Sequence, residues 1–269
     1  VVFDDFEDGI DTTLWNNPYG LTSENDAVRG GVAQGDMGTN WARALDQKMG
    51  MSPDYGGKFY ASVWYKLTGS WNWGDAGWGN GFKWMRFHGG EMDAEFTWSE
   101  VGSNSYLTPN NGSSSYSLID PWNPQSDMKT DQWYRFEFVI QVPSSPTATD
   151  GYAKWFVDGV EIKGCSLDSS KGLSWLTGNS VGNWRFYRFG WHSNTGSIAS
   201  NSILMMDDGY IDNSWARVEI GNNSSYDSCT VREIQIPSKW SDSSITITVN
   251  QGSFQNTETV YLFVIDDNG

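Results

Sequence analysis

The sequence predicts an all-β sandwich with a small C-terminal β appendage. Apolar and aromatic residues alternate in short runs, Gly, Asn, Asp, Ser and Pro clusters separate those runs, and helical periodicity is nearly absent. The 269 residues are enough to bury a sizeable core, and 15% aromatic against 19% charged excludes a disordered chain.

Taken in order, 58–67 puts Phe59, Ala61, Val63, Tyr65 and Leu67 on one face and Tyr60, Ser62, Trp64 and Lys66 on the other. Strand 81–88 places Phe82, Trp84, Arg86 and His88 together. Strand 91–98 sets Glu91, Asp93 and Glu95 against Met92, Ala94, Phe96 and Trp98. Segment 102–130, rich in Ser, Asn and Pro, reads as a long surface loop. In 133–142, Tyr134, Phe136, Phe138, Ile140 and Val142 oppose Trp133, Arg135, Glu137 and Gln141. Asp158-Gly159 joins strands 151–157 and 160–162 as a hairpin, and strands 183–191 and 202–207 follow. Gly221 to Ser225 reads as a linker, so 1–221 is the sandwich and 222–269 a small β unit packed on it, with strands at 231–236, 244–249 and 260–265. At most one helical turn is expected, at 237–240.

Charge narrows the partners. With 33 acidic and 17 basic residues, net −16, the chain repels phosphate backbones, so nucleic acid is excluded as a partner. Polyanionic glycans are disfavoured unless a local basic cleft overrides the field, whereas a neutral polysaccharide meets no such barrier. Sixteen Trp exceed the needs of a core, and rings at a surface bind flat, partly apolar sugars. No apolar run reaches the ~18 residues that span a membrane. The start at Val1 is expected to be that of a mature secreted protein.

Glu91, Asp93 and Glu95 carry the sharpest chemistry. Cleaving a glycosidic bond takes two carboxyl groups held in different protonation states, and alternation sets these three on one face. A solvated acidic face would show the same spacing. Trp64, Trp84, Arg86, His88, Trp133 and Arg135, on mixed aromatic and charged faces, are expected to line a substrate groove, although an ordinary solvent-facing sheet has that pattern too.

Glu91-Met92-Asp93-Ala94-Glu95-Phe96 resembles the active-site strand of glycoside hydrolase family 16, the lichenases and laminarinases, with Met92 where Ile, Leu or Val is usual. The stretches 55–63, 81–87, 133–136 and 155–162 are similar to that family's flanking strands and late hairpin. The resemblance spans roughly residues 55–162. It implies a concanavalin-like β-jelly-roll and retaining endo-hydrolysis of a β-glucan, with Glu91 as nucleophile, Glu95 as acid/base and Asp93 as electrostatic helper. No cofactor is required for that chemistry.

Three further groups bear on function. Arg86, His88 and Arg188 with a nearby Tyr would suit β-elimination on a uronic acid, as in a polysaccharide lyase; ordinary hydrogen-bonded surface residues would look the same. Trp71 and Trp73, in the Gly-rich 70–81, either close over a sugar chain or turn inward. Asp4, Glu7 and Asp207 are expected to hold a structural Ca²⁺. Cys165 and Cys229 either pair or remain buried thiols. The resulting expectation is a polysaccharide-active protein, a hydrolase first, with a non-catalytic carbohydrate-binding or adhesion module and a lyase as alternatives.

Overall fold

The computed structural model of the chain describes residues 1–16, 20–36, 45–48, 54–69, 71, 82–89, 92–99, 104–110, 118–119, 127–142, 144–145, 148, 150–162, 184–192 and 201–269. Their strands are β1 (Val2–Asp4), β2 (Trp15–Asn16), β3 (Thr22–Asp26), β4 (Gly30–Asp36), β5 (Leu45–Gln47), β6 (Lys58–Gly69), β7 (Phe82–Gly89), β8 (Met92–Ser99), β9 (Asn104–Asn110) and β10 (Leu118–Ile119). They continue with β11 (Trp133–Gln141), β12 (Tyr152–Val157), β13 (Val160–Glu161), β14 (Trp184–His192), β15 (Ser202–Asp212), β16 (Arg217–Gly221), β17 (Arg232–Ser241), β18 (Ser244–Thr248) and β19 (Tyr261–Ile265).

These strands form three antiparallel sheets. The first runs β13-β12-β11-β6-β15-β4-β3, with β1 also paired to β15. The second runs β10-β9-β8-β7-β14-β5-β2, and the third β18-β17-β16-β19. The core lies between the first two. Alternation on β6 and β11 sends Phe59, Ala61, Val63, Tyr65, Phe136, Phe138 and Ile140 inward, where they meet Trp84, Met85, Phe189, Leu45 and Trp15 of the second sheet. Trp84 stacks on Phe136 with centroids 4.7 Å apart. Tyr65 ties the sheets together by polar contact: its hydroxyl donates to the Trp84 carbonyl and accepts Gly190 N–H at 3.1 Å.

The third sheet covers the other face of the first. Trp215, Ile234, Tyr60 and Tyr210 make a small apolar cluster between them. This is where sequence and structure part. Strand β16 pairs with both β17 and β19, so the C-terminal sheet begins at Arg217, before the linker at 221–225. Segment 102–130 contains β9 and β10; their few apolar residues hid strands near a sheet edge, where hydrophobic demand is lower. The helical turn expected at 237–240 is strand, with Pro237 at an irregularity of the β17–β18 pairing, a position where a missing N–H is tolerated.

Candidate functional site

The face of β6 and β11 expected to line a groove is closed. Trp64 is 6% exposed, its indole N–H donates to Glu233 Oε2 at 3.0 Å, and the Arg29 guanidinium lies 4.3 Å over its ring. Arg135 is buried and donates to Glu219 Oε1 and to the Tyr60 hydroxyl, both at 2.9 Å. Half-buried Trp133 donates to Asp26 Oδ1 at 3.0 Å and is overlain by Lys66. The expectation of an open glycan face is therefore corrected for Trp64 and Arg135: their charge and aromaticity serve the contact with the third sheet. Trp84, expected on the binding face with Arg86 and His88, is instead in the core, because the β7–β8 register shifts between Lys83 and Met85 and breaks the alternation there. Trp71 packs against the same core, while Trp73 lies outside the described residues.

Two ion clusters fill the covered interface. In one, Arg29 reaches Asp207 (2.6 Å), Asp208 and Glu233 (2.9 Å), all buried. One cation thus faces three carboxylates. Burial pushes the Asp208 carboxyl up to about 7 despite Arg29, with Glu233 adding to the rise. Asp207 is held well above the usual range by burial and by Asp208, and its Oδ1 is buried without a hydrogen-bond partner. Burial also raises Glu233, but Arg29 and the Ser253 donors outweigh it, leaving the carboxyl below its ordinary value. In the other cluster Arg135, Arg217 and Arg232 surround Glu219 and Glu137.

The acidic residues expected to hold Ca²⁺ are not gathered. Asp4 accepts the Phe6 and Asp11 N–H groups at 2.9 and 3.0 Å, Glu7 accepts Gly31 N–H at 3.1 Å, and Asp207 faces Arg29. Among the described residues no three His, Cys, Asp or Glu side chains form a metal-holding group. Cys229 is a buried free thiol, and Cys165 lies outside the described residues.

The outer face of the second sheet holds the remaining candidates. Leu45, Phe189 and Met85 occupy one register row inside the core, and Met85 aligns with Phe96. The adjacent row, Asp46, Arg188, Arg86, Glu95 and Thr108, is therefore on the opposite face. Two residues further along β7 comes a row of Arg185, His88, Asp93 and Asn110. Residues directly opposite on neighbouring strands have Cβ atoms ~4.5–5.5 Å apart, so each row is a chain of neighbours. Arg188 is buried and paired with Asp46, Nε to Oδ1 at 3.0 Å. The backbone thus brings Asp93, Glu95, Arg86 and His88 together, while Glu91 lies outside the described residues.

Sequence reading missed Arg29, Arg217, Glu219, Arg232 and Glu233. The signal was there in Arg217-Val-Glu219, where opposite charges alternate with apolar residues, and in Arg232-Glu233, where charges fall on both parities of an apolar strand: each marks a strand whose polar face is buried too.

No protein-family model matches the chain, and no curated protein matches it. Among solved structures it is similar to the cellulose-induced protein Cip1, at 17% identity and TM-score 0.52, covering 80% of this chain and 98% of that one. The endo-β-1,4-glucuronan lyase from Trichoderma reesei follows at 11% identity and 0.51, covering 80% and 96%. The alginate lyase from Aplysia kurodai gives 10% identity and 0.50, covering 74% and 89%. These likenesses show the fold: a concanavalin-like β-jelly-roll sandwich, to which this chain adds a C-terminal β unit.

Proposed function

We propose that this chain is a polysaccharide-active enzyme whose site is the outer face of the second sheet, and that its reaction is β-elimination on a uronate-bearing glycan. The register of β14, β7, β8 and β9 carries this reading: Arg185, His88, Asp93 and Asn110 form one row, and Arg86 and Glu95 lie side by side in the next. Elimination needs cations on the sugar carboxylate, a base for the C5 proton and an acid for the leaving oxygen. Arg86 and Arg185 neutralise the carboxylate, which makes the adjacent C–H acidic. His88 takes that proton, the electron pair forms the C4–C5 double bond, and the C4–O bond breaks. The leaving oxygen receives a proton from a tyrosine, for which Tyr106, at the parity of Thr108 and Asn110 on β9, is the candidate. No water is consumed and no redox partner is needed. Two lyases among the similar structures act on glucuronan and alginate, both uronate polymers, which supports the substrate class. Arg86 and Arg185, in adjacent rows, are the local cations set against the acidic field that disfavoured such a glycan.

Retaining hydrolysis by Glu91 and Glu95 with Asp93 is the second reading, favoured by Asp93 and Glu95 sharing the face. Its nucleophile, Glu91, lies outside the described residues, so the register bears on Asp93 and Glu95 alone. Incubation with glucuronan and alginate, and separately with lichenan and laminarin, decides between them. Ultraviolet absorbance of an unsaturated product, lost in His88→Ala and Arg86→Ala, supports elimination. Reducing ends without that absorbance, lost in Glu91→Gln and Glu95→Gln, would establish hydrolysis instead. Glycan binding with no product of either kind would leave a binding module.

A further inference from the structure

On the far side of the sandwich, a cavity of about 290 Å³ opens between the first sheet and the C-terminal sheet. Its wall includes Glu137, Lys154, Phe156, Arg217, Tyr226 and Arg232. That gathers three of the chain's 17 basic residues in one small space. The volume is near the lower limit of ~300 Å³ for small-molecule sites, enough for a single sugar ring.

Among the buried charged groups around this space, the arginines have donors to spare and the carboxylates have their acceptors in use. An arginine fork has five N–H groups. Arg232 spends one, on Glu137 Oε2 at 3.3 Å, and its Nε stands 3.8 Å from Glu219, beyond hydrogen-bonding reach. Arg217 spends three, on Glu219, the Trp215 carbonyl and the Tyr226 hydroxyl. The buried acceptors are already taken. Glu137 accepts from Tyr60 and Arg232, and Glu219 accepts from Arg135, Arg217 and Tyr226. Donors remain open while the buried carboxylates are satisfied. Asp227, exposed at the wall, is the other acidic side chain there.

The Arg232 fork is also held still. Its guanidinium lies 4.3 Å over the Tyr226 ring, and its Nη2 sits where a side chain on Gly159 would be, 1.8 Å from an ideal Cβ. Only 7% of the residue is exposed, yet it lines the cavity. A fixed planar fork with unspent N–H groups matches a planar carboxylate. The half-buried Phe156 ring supplies an apolar wall for a sugar face.

We propose that this cavity is a second glycan site, which takes one uronate residue by its carboxylate on Arg232, with Arg217 and Lys154 alongside. The proposal stands on the donors open here and not on the chemistry assigned to the outer face of the second sheet. Because the two sites lie on opposite sides of the core, this one tethers a chain without cutting it.

The test is calorimetric titration of the His88→Ala protein with a 4-linked glucuronate trisaccharide, and with cellotriose as the neutral counterpart. The uronate is expected to bind this cavity at least ~10-fold more tightly than cellotriose. Arg232→Lys, which keeps the charge but loses the fork, should weaken that binding about tenfold. Lys154→Gln, a change at a partly exposed position that leaves the buried ion cluster intact, should weaken it about threefold. Two equivalents of uronate, one sensitive to Arg232, mean that both sites stand. A single Arg232-sensitive equivalent means that only the outer-face reading fails. Uronate binding indifferent to both substitutions, equal binding of the two trisaccharides, or no binding would overturn the proposal.

Discussion

Arg29 and Glu233, 204 positions apart in sequence, meet in two hydrogen bonds of 2.9 and 3.0 Å beneath the C-terminal sheet. The pair joins the turn before β4 to the first residues of β17, so the third layer is fastened to the sandwich by charge as well as by the apolar contacts of Trp215 and Ile234. Removing the cation would strand three buried carboxylates. Arg29→Met is therefore expected to cost about 3–5 kcal/mol in urea unfolding. It should also expose the 222–231 segment to limited proteolysis before the sandwich itself unfolds. A variant with wild-type stability and wild-type cleavage would mean that the apolar contacts alone hold the layer.

The same cluster sets a pH dependence. Burial lifts Asp208 from 3.8 to about 7 in the folded protein, and burial, only partly offset by the Arg135 N–H bond, lifts Asp158 to about 6. A carboxyl whose folded value is raised holds its proton more tightly when folded. Its stabilising share is complete below the unfolded value and is lost as pH rises through the folded one. Stability should thus fall between about pH 4 and pH 7, counter to the usual carboxylate trend. Glu219 and Glu233, held below their ordinary values by the arginines, act in the opposite sense only at more acid pH. Thermal midpoints of Asp208→Asn across pH 4–8 should show a shallower decline and a higher midpoint than wild type at pH 8. An unchanged slope would remove Asp208 as its source.

Much of the sandwich was legible because one periodicity controlled it. On β6 and β11 the period of two separates Phe59, Val63, Phe136 and Phe138 from Trp64, Arg135 and Glu137, and the structure buries the first set in the main core. Alternation tells which residues share a face; it does not tell what covers that face. Trp64 and Arg135 looked like a ligand surface because a buried polar interface and a wet groove have the same composition, and the partners that close it, Glu219, Arg232 and Glu233, come 84 or more positions later, with nothing in the local sequence to pair them. Asp93 and Glu95 share a parity on β8 by the same rule, but their register partners, His88 and Arg86, follow only from strand order.

Gly159 tests how closely Arg232 is held. It adopts φ +76°, and an added Cβ would lie 1.8 Å from Arg232 Nη2 and 2.7 Å from its Cζ. Gly159→Ala must strain the turn between β12 and β13 and displace the guanidinium from Glu137. The two effects together should cost about 2–4 kcal/mol. Chemical denaturation measures the loss. Asp158→Asn, a neighbouring change that adds no atom at the contact, is the control for a general effect on the turn, and an equal loss there would show that the Arg232 contact is not the cause.

Trp64 separates a ligand surface from a structural joint. Its N–H is one of the donors to Glu233, alongside Arg29 and Ser253, and its ring carries the Arg29 guanidinium. Trp64→Phe keeps an aromatic face for the guanidinium but leaves a buried carboxylate oxygen one donor short. The expected loss is about 1–3 kcal/mol of stability. Because the residue is walled off by the C-terminal sheet, turnover per folded molecule and glycan affinity should both stay at wild-type values, whereas Arg86→Ala should abolish turnover. Stability is read from urea unfolding and turnover from product formation on the same preparations. A Trp64→Phe protein that folds as well as wild type but binds glycan at least ~10-fold more weakly would return this face to the binding surface and displace the outer-face assignment.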